Sequence, residues 1–402
     1  MDNPVEIDFS PTGEMLGTVN LFYRQRGDCL VHWMHGGAYP RYDQTCVDEF
    51  PRTGDLLKEV HNFGHVAVSG MTRLRAPWSL AAFNNTAKQA EPDATHWVVT
   101  DFNSHKVMHA EVRRRGSTFS ADVRELLRSS SDDFHPTDVL EDQDGSLLVI
   151  DTGGWYKLCC PSSQLYKPDI PGAIYRIRKK ENHNEAKEDA WAFRRSLARA
   201  RAQGPSIISD LEKRAKSGSD RERLEAVWAL AGFSSKEARN AGRTSLEARS
   251  ETVRHAALHV AALWRDKESL PLIERLLLSD TRPQIRRAAA EALARIGDAA
   301  AVDTLLAVSA QAGDDRVLEH SLTYALIEIG DAKSTVRGLD STDAYVQRAA
   351  LTALDQMAGS PLQPDQLKRF LGTKNPFLRE RVEWILQNHP DWGTHFVDHL
   401  KT

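Results

Sequence analysis

The sequence is short of cysteine, of net charge and of long apolar runs. Only four of its 402 residues are cysteines (Cys29, Cys46, Cys159 and Cys160), too few for the disulfide framework of a small secreted domain. No apolar run approaches the roughly 20 residues that span a bilayer. The first residues, MDNPVEIDFSPTGE, contain neither a basic segment nor an apolar core, so they do not indicate a signal peptide. A chain with these features is expected to stay in the cytoplasm.

The overall charge also excludes some partners. A formal net charge of −4 gives no reason to expect nucleic acid or an anionic membrane as the main partner. The hydrophobic share of 41% and the charged share of 27% fit a soluble globular protein. At this length two or three domains are expected.

Residues 1–178 have the pattern of strands joined by tight turns. NPVEIDFSPTGEMLGTV and HPTDVLEDQDGSLLVIDTGG each read as two strands around a turn, and Asp-Gly at 144–145 is a strong hairpin signal. A third unit combines GHVAVSGMTRL with two strands in THWVVTDFNSHKVMHAEV, while GGAYPRYDQTCVDEFPRTGD reads as a loop. Such units start near residues 3, 65 and 135, and repeated antiparallel units are typical of β-propeller blades.

Residues 186–402 change to the period of helices. IRRAAAEALARIG places Ile285, Ala289, Leu293 and Ile296 on one helix face. Matching leucines at 230, 293, 326, 354 and 386 are separated by 63, 33, 28 and 32 residues, which indicates short helix pairs of the HEAT type. The charged stretch RKKENHNEAKEDA (178–190) marks the boundary. We therefore predict a multidomain β + α protein: a partial β-propeller of about three blades in 1–180, then a HEAT-like α-solenoid in 181–402.

The segment HPTDVLEDQDGSLLVIDTGGWYKLCCPSSQLYKPDIPGAIYRIRKK, together with LVHWMHGGAYP, PRTGDLL and GHVAVSGMTRL, closely resembles one protein family. Its members are large secreted proteins of planctomycete-type bacteria, known as membrane-bound dehydrogenase-like or PVC-type haem-binding proteins. They combine a propeller similar to glucose/sorbosone dehydrogenases with HEAT-like repeats and commonly a cytochrome c domain. The resemblance covers roughly residues 3–180. It implies a sugar or alcohol dehydrogenase that uses PQQ, with calcium possible, in a secreted or periplasmic protein.

The sequence departs from that family in two ways. It contains no C-x-x-C-H, so it has no covalent haem motif. It also offers about three blades, whereas a closed propeller needs at least about four. The chain is therefore expected to be the C-terminal part of a longer ancestor, or a non-functional gene fragment.

The candidate catalytic residues are His135 and His65, which stand at the start of two predicted units. By resemblance to propeller enzymes, such positions line the central channel, where a histidine suits general-base chemistry. The alternative is that His135, followed by a proline, only fixes the start of a strand.

The candidate cofactor-binding residues are Arg73, Asp138 and Asp151. An arginine suits the carboxylates of a quinone cofactor, but a corner salt bridge or a solvated arginine is the alternative for Arg73. Asp151 follows an apolar run and either caps loop amides or contacts a metal or cofactor. DQDG lacks the twelfth-position carboxylate of a calcium loop, so no metal ligands are assigned.

Two function classes follow from these patterns. The first is a protein-interaction module, with a protein partner on the HEAT-like surface or a complementary propeller half. The alternative is the quinone-dependent dehydrogenase. In the helical half, Trp228, Trp264 and Trp384 are expected in the core. Five arginines near repeat starts are expected to form a solvated face, with a basic ridge for a partner as the alternative: Arg286, Arg287, Arg348, Arg379 and Arg381.

Overall fold

The computed structural model describes residues 3–20, 27–40, 50–75, 94–154, 167, 169–178 and 189–400 of the chain. The chain forms two compact units. The first consists of Met1–Trp33, Tyr39–Gln44 and Lys58–Gly204, and the second of Met34–Ala38, Thr45–Leu57 and Pro205–Thr402. The second unit thus includes two short segments from the first part of the chain. The division into domains 1–180 and 181–402 stays a prediction.

Three antiparallel sheets follow one another along the first unit. Sheet A has the strand order β1-β2-β3-β4, sheet B the order β5-β6-β7-β8, and sheet C the order β11-β10-β9. The strands are Asn3–Phe9 (β1), Met15–Asn20 (β2), Asp28–His32 (β3), His61–Gly64 (β4), Val68–Arg73 (β5), Thr95–Asp101 (β6), Lys106–Arg115 (β7), Thr118–Arg128 (β8), Pro136–Glu141 (β9), Leu147–Asp151 (β10) and Ala173–Ile177 (β11). Among the described residues before Ala190, all regular secondary structure is β-strand, as the alternating sequence pattern predicts.

The turns of two hairpins are formed as the sequence indicates. Gly145 has a φ of 78° and donates its N–H to the carbonyl of Asp142 at 2.9 Å. Gly13 has a φ of 98° at the corresponding turn of sheet A. Both conformations favour glycine, because a Cβ would be strained at these φ values.

The first two strands of each sheet share one register. The corresponding pairs are Ile7 with Gly17 in sheet A, Met71 with Val99 in sheet B, and Val139 with Val149 in sheet C. The three hairpins are therefore equivalent position by position.

The sheets are stacked in chain order, and sheet B is covered on both faces. Leu16 and Leu30 of sheet A form one buried cluster with Met71, Trp97 and Val99 of sheet B. A second cluster joins the opposite face of sheet B to sheet C; its buried members are Leu74, Val98, Val107, Phe134, Val139, Leu147 and Val149. The first strands contact one another in sequence, β1 with β5 and β5 with β9. Within the described residues these sheets do not close into a barrel or a complete propeller.

Fourteen α-helices follow among the described residues. They are Ala192–Gln203 (α1), Ile208–Ser217 (α2), Asp220–Leu230 (α3), Lys236–Arg243 (α4), Glu251–Trp264 (α5), Leu270–Ser279 (α6), Pro283–Ile296 (α7), Val302–Ser309 (α8), Arg316–Ile329 (α9), Ala332–Thr335 (α10), Ala344–Gln356 (α11), Pro364–Lys368 (α12), Pro376–Asn388 (α13) and Gly393–Leu400 (α14). The first of them, α1, belongs to the sheet-containing unit.

The helices of the second unit stack in two layers. The odd-numbered helices from α3 to α13 contact one another in order, while α6, α8 and α10 form the other layer. One continuous apolar core runs between the layers from Val227 to Phe396, and the predicted core residues Ile285, Ala289 and Leu293 are fully buried in it. Trp228, Trp264 and Trp384 pack against this core, as predicted.

Gly-Asp pairs separate successive helices, as their positions predict. Gly297 and Gly330 have left-handed conformations at the ends of α7 and α9. The carboxylates of Asp298 and Asp331 then accept backbone N–H groups of the next turn. Each Gly-Asp pair therefore ends one helix and begins the next, so that consecutive helices stay short and pack against each other.

Candidate protein-binding face of the helical unit

One buried polar position recurs in five stacked helices, α5, α7, α9, α11 and α13. The residues are His255, Arg287, His320, Arg348 and Arg381, separated by 32, 33, 28 and 33 residues. None of them is more than 4% exposed. We call this set the polar ladder. Because neighbouring helices of this layer pack against each other, the repeat places these side chains along one face.

Buried cations need partners, and two ladder arginines have them. Arg287 Nη1 lies 2.7 Å from Glu291, and its Nη2 lies 3.3 Å from His255 Nε2. Arg348 Nε lies 3.2 Å from a carboxylate oxygen of Glu319. The Arg348 guanidinium also lies 3.9 Å from the centre of the Phe377 ring.

Arg381 is the ladder residue with the least compensation. Among the described residues, its Nε and Nη1 have no hydrogen-bond partner. Its guanidinium lies 4.7 Å from the centre of the Trp384 ring. Burial, followed by the neighbouring Arg348, lowers the pKa of Arg381 to about 10. A buried arginine in this state is costly, so the packing around it must supply the compensating free energy.

The prediction of a solvated arginine face is wrong for the three ladder arginines. Arg287, Arg348 and Arg381 are buried, whereas Arg379 is exposed and Arg286 is half-buried. Helical periodicity identifies which face carries the leucines. It does not reveal that the opposite face of the same helices is also covered.

Around His320 and Arg381 the cover comes from two segments of the first part of the chain, Met34–Ala38 and, in the described residues, 50–57, which we call the docked segments. Leu57 N donates to the carbonyl of Ala38 at 2.8 Å, which joins them to each other. Thr53 is 3% exposed and Leu57 2% exposed. These two buried side chains anchor the second docked segment, while Phe50, at 64%, and Asp55 stay exposed.

His320 holds both docked segments at once. Its Nε2 donates to the carbonyl of His35 at 2.9 Å. Since that nitrogen carries the proton, Nδ1 accepts from the Thr53 hydroxyl at 2.7 Å. Burial, with a smaller contribution from Arg316, lowers the pKa of His320 to about 3. The imidazole is therefore neutral at physiological pH, and its tautomer is fixed by the segments that it binds.

Other helix side chains reach the main chain of the second docked segment. Arg316 Nη2 donates to the carbonyl of Asp55 at 2.7 Å and to the Thr53 hydroxyl at 2.9 Å. The side-chain oxygen of Gln356 accepts the N–H of Arg52 at 2.7 Å. In the first segment, His35 Nε2 donates to Glu328 at 2.6 Å. Several of these hydrogen bonds are therefore made to backbone atoms of the docked segments.

Two glycines permit the close approach of the docked segments. Gly36 has a φ of 66° and lies against the ring of Tyr324, where a Cβ would overlap the ring. Gly54 has a φ of 128°, and a Cβ there would overlap Nη2 of Arg381. Both positions therefore require glycine for conformation and for space. The motifs HGGAYP and PRTGDLL contain these two glycines.

Of the residues predicted for catalysis or cofactor binding, the structure joins His135 and Asp151. Asp151 Oδ1 accepts the backbone N–H groups of His135 and Gly153, both at 2.8 Å. His135 Nδ1 donates to the carbonyl of Gly153 at 2.9 Å. Since Nδ1 carries the proton, Nε2 is the ring nitrogen able to accept one. His65, the second predicted base, is exposed just before β5.

The other two predicted residues lie on the first strands of sheets B and C. Arg73 ends β5, where its Nε donates to the carbonyl of Phe9 at 2.8 Å, and burial lowers its pKa to about 10. Asp138 lies in β9 directly beside Gly70, and burial raises its pKa. The roles of all five residues stay predictions. Cys46, Cys159 and Cys160 lie outside the described residues.

The helical repeats match a known family in part of the chain. Residues 242–327 match the family model described as HEAT repeats, so the helices between 192 and 397 are a HEAT-like repeat region. No curated protein matches the chain. In the part of the chain that the structure describes, no helix combines the length and apolarity needed to cross a membrane.

Two solved structures are similar to part of this chain. The CpcE–CpcF complex of phycocyanin lyase from Nostoc sp. PCC7120 is 18% identical, with a TM-score of 0.29; the match covers 56% of this chain and 99% of that chain. The archaeal HEAT-like repeats protein from Thermococcus onnurineus NA1 is 12% identical, with a TM-score of 0.32; the match covers 50% of this chain and 94% of that chain.

Replacement of Gly54 is expected to release the second docked segment. In Gly54→Ala the new Cβ meets Arg381 and the backbone is strained, so we expect a loss of about 1–3 kcal/mol in the free energy of unfolding. The amides of Arg52 and Leu57 should lose protection in hydrogen exchange. The control is Gly313→Ala, because Gly313 also has a positive φ but nothing lies within 4 Å of the added Cβ. Equal exchange in the two variants would show that the segment is not held in this way.

Acid should destabilise the helical unit through His320. Its folded-state pKa of about 3 lies below the ordinary value of 6.5, so between these pH values only the unfolded state binds the proton. The contribution of this histidine to stability is complete above pH 6.5 and is lost as the pH falls toward 3. Urea denaturation at several pH values should show a shallower pH dependence for His320→Gln than for wild type. His395→Gln, at an exposed position, should leave the slope unchanged.

Proposed function

We propose that this protein is a protein-interaction module whose helical repeats bind a polypeptide segment through main-chain atoms. The observation that carries the proposal is the set of side-chain hydrogen bonds from Arg316, His320 and Gln356 to main-chain atoms of the docked segments. In this chain the bound segments are its own residues 34–38 and 50–57. A protein partner would present the same kind of chain to the same face.

Main-chain recognition supports exchange between a segment of this chain and one from another protein. Backbone carbonyls and N–H groups are common to all sequences. A segment that binds this face is therefore selected by its backbone conformation and by small residues at close contacts. Gly36 and Gly54 meet that requirement here, where the chain passes Tyr324 and Arg381. The expected partner segment contains glycine at the point of closest approach.

A peptide titration tests this function in the full chain. A fluorescent peptide with the sequence of residues 50–57, FPRTGDLL, should bind saturably to the Gly54→Ala variant, whose own segment is displaced. Wild type should bind it at least about tenfold more weakly, because its face is occupied. Adding Arg316→Ala to the Gly54→Ala variant should weaken binding by at least about tenfold, since hydrogen bonds from a charged donor are lost.

The matched control for this titration is Arg128→Ala in the same background, because Arg128 is an exposed arginine of sheet B. It should leave peptide affinity unchanged. Absence of saturable binding to the Gly54→Ala variant would contradict the proposal. So would an affinity that Arg316→Ala leaves unaltered.

We also propose that sheets A, B and C are three consecutive blades of a partial β-propeller. The equivalent hairpin registers and the contacts of β1 with β5 and β5 with β9 support this interpretation, because propeller blades place their first strands around a common axis. The planctomycete-type dehydrogenase resemblance, the gene-fragment interpretation and the cytoplasmic location stay predictions.

Dehydrogenase activity is the second candidate function, favoured by the state of His135. Its Nε2 is the proton-accepting nitrogen of a ring fixed by Gly153, as a general base for a substrate hydroxyl requires. The guanidinium of Arg73 fits a carboxylate of PQQ, and PQQ, when bound, accepts the electrons of the substrate. Asp151 holds backbone amides around His135 and thereby positions it.

PQQ binding tests this alternative. If it holds, PQQ added with calcium should quench the tryptophan fluorescence of the full chain saturably, and Arg73→Gln should weaken binding by about tenfold through the loss of a charged hydrogen bond. Arg128→Gln serves as the exposed control. Quenching that does not saturate, or that is the same in all three proteins, would count against a cofactor site at the end of β5.

A further inference from the structure

Polar side chains lie at one end of the interface between sheets A and B. Asn20 is the last residue of β2 and Asp28 the first of β3, and the residues next to them in the two strands are paired. Each lies two positions from a residue that packs toward sheet B. Thr18 donates its hydroxyl to the carbonyl of Ser69 at 2.7 Å, and Leu30 belongs to the shared apolar cluster. Because strand side chains alternate, Asn20 and Asp28 face sheet B as well.

Asp101 faces them from sheet B. It ends β6, two positions after Val99, which is buried against sheet A. Asp28 Oδ2 accepts the N–H of Ala67 at 2.6 Å, and the carbonyl of Ala67 accepts the N–H of Phe102 at 3.2 Å. Ala67 therefore links the carboxylate of Asp28 to the residue that follows Asp101. The two carboxyl groups lie at the same corner of the interface, and they are 4% and 3% exposed.

The hydrogen bonds of sheets B and C show that Asp101 is not needed to cap the backbone. Asp101 and Asp151 are equivalent, since each pairs with the first residue of its neighbouring strand. Asp151 Oδ1 accepts the N–H of His135, the residue before β9. The corresponding N–H before β5, that of Ala67, is bound by Asp28 instead. Asp101 Oδ1 has no hydrogen-bond partner among the described residues, which is rare for a buried carboxyl oxygen.

Two further oxygen atoms at this corner, Asn20 Oδ1 and Ser104 Oγ, are buried without a partner in the described part of the chain. Ser104 lies in the turn between β6 and β7. Lys106 stands opposite Asp101 in the register, but its ammonium group is directed to Glu125 at 3.6 Å. Burial raises the pKa of Asp101 to about 7, although Lys106 opposes this shift. The corner thus collects oxygen atoms whose bonding capacity is not used.

We propose that this corner is a calcium-binding site, in which Asp101, Asn20 and Ser104 supply oxygen ligands and Asp28 supplies a second carboxylate. Calcium takes about six to eight oxygen ligands, mainly carboxylates and amide carbonyls, in a flexible geometry. Two carboxylates balance its charge. Magnesium requires an almost ideal octahedron and retains several waters, so it fits a buried corner between two sheets less well. The bound ion would join sheet A to sheet B.

Equilibrium dialysis of the full chain, after removal of metals with EGTA, tests the proposal. Wild type should bind calcium saturably, with a single ion per chain, and at least about tenfold more tightly than magnesium. Asp101→Asn should weaken calcium binding by at least about tenfold, because a charged ligand becomes a neutral one of the same shape. Asn20→Ala should weaken it in the same direction. The matched control is Asp132→Asn, an exposed aspartate between sheets B and C, which should leave the affinity unchanged.

Thermal unfolding separates loss of the ion from loss of the fold. Without calcium, Asp101→Asn should unfold at the same temperature as wild type or at a higher one, since it removes a buried carboxyl group that lacks compensation. Added calcium should raise the unfolding temperature of wild type and of Asp132→Asn, because the ion binds the folded state. It should not raise that of Asp101→Asn at the same concentration.

Equal calcium binding by wild type and Asp101→Asn overturns the proposal, because exposed carboxylates would then hold the ion. Magnesium binding as tight as that of calcium overturns the choice of cation. Wild type without saturable binding also overturns the site, and binding that then appears in Lys106→Gln would show that the Lys106 ammonium occupies the place of the ion. None of these results depends on the peptide or PQQ titrations, so the proposals fail separately.

Discussion

One neutral imidazole contacts both docked segments at once. His320 donates from Nε2 to the carbonyl of His35 and accepts at Nδ1 from the Thr53 hydroxyl, so a second proton on the ring would remove the acceptor that Thr53 uses. Arg287, Arg348 and Arg316 tolerate burial because a carboxylate, an aromatic ring and a main-chain carbonyl respectively lie against them. The arrangement depends on close packing: if the segments leave, the ladder is exposed to water and its partners change.

The sequence predicts those parts of the fold that depend on local pattern. Alternation and an Asp-Gly turn are sufficient to find the hairpins, and the spacing of leucines such as Leu293 and Leu326 is sufficient to find the helical repeats. The cover over the polar ladder joins residues about 300 positions apart, for example Arg52 and Gln356, and no local period can reveal such a contact. One signal was present: His255, Arg287, His320 and Arg348 recur in phase with the leucines. A polar residue that repeats with the same period as the core leucines indicates that the opposite face of the helices also makes specific contacts.

The candidate residues of the sheets illustrate a different limit. The start of β9 was identified from His-Pro, and Asp151 from its place after an apolar run. The sequence does not show whether Asp151 caps backbone amides or contacts a metal or cofactor, because both roles use the same carboxylate oxygens. In the structure Asp151 binds two backbone amides, which is the capping geometry, and the same bonds orient His135. Support of the backbone and orientation of a base are therefore not exclusive at this position.

The docked segments also set an order of events during synthesis. Thr53 leaves the ribosome 267 residues before His320, and Arg52 leaves 304 residues before Gln356. At about 5–20 residues per second, the segments wait roughly 15 to 60 s for the helices that bind them. Through that interval β3 and β4, which are joined by this stretch of chain, can pair while the loop between them has no binding surface. The repeats around His320 and Gln356 are completed by a piece of chain made well before them.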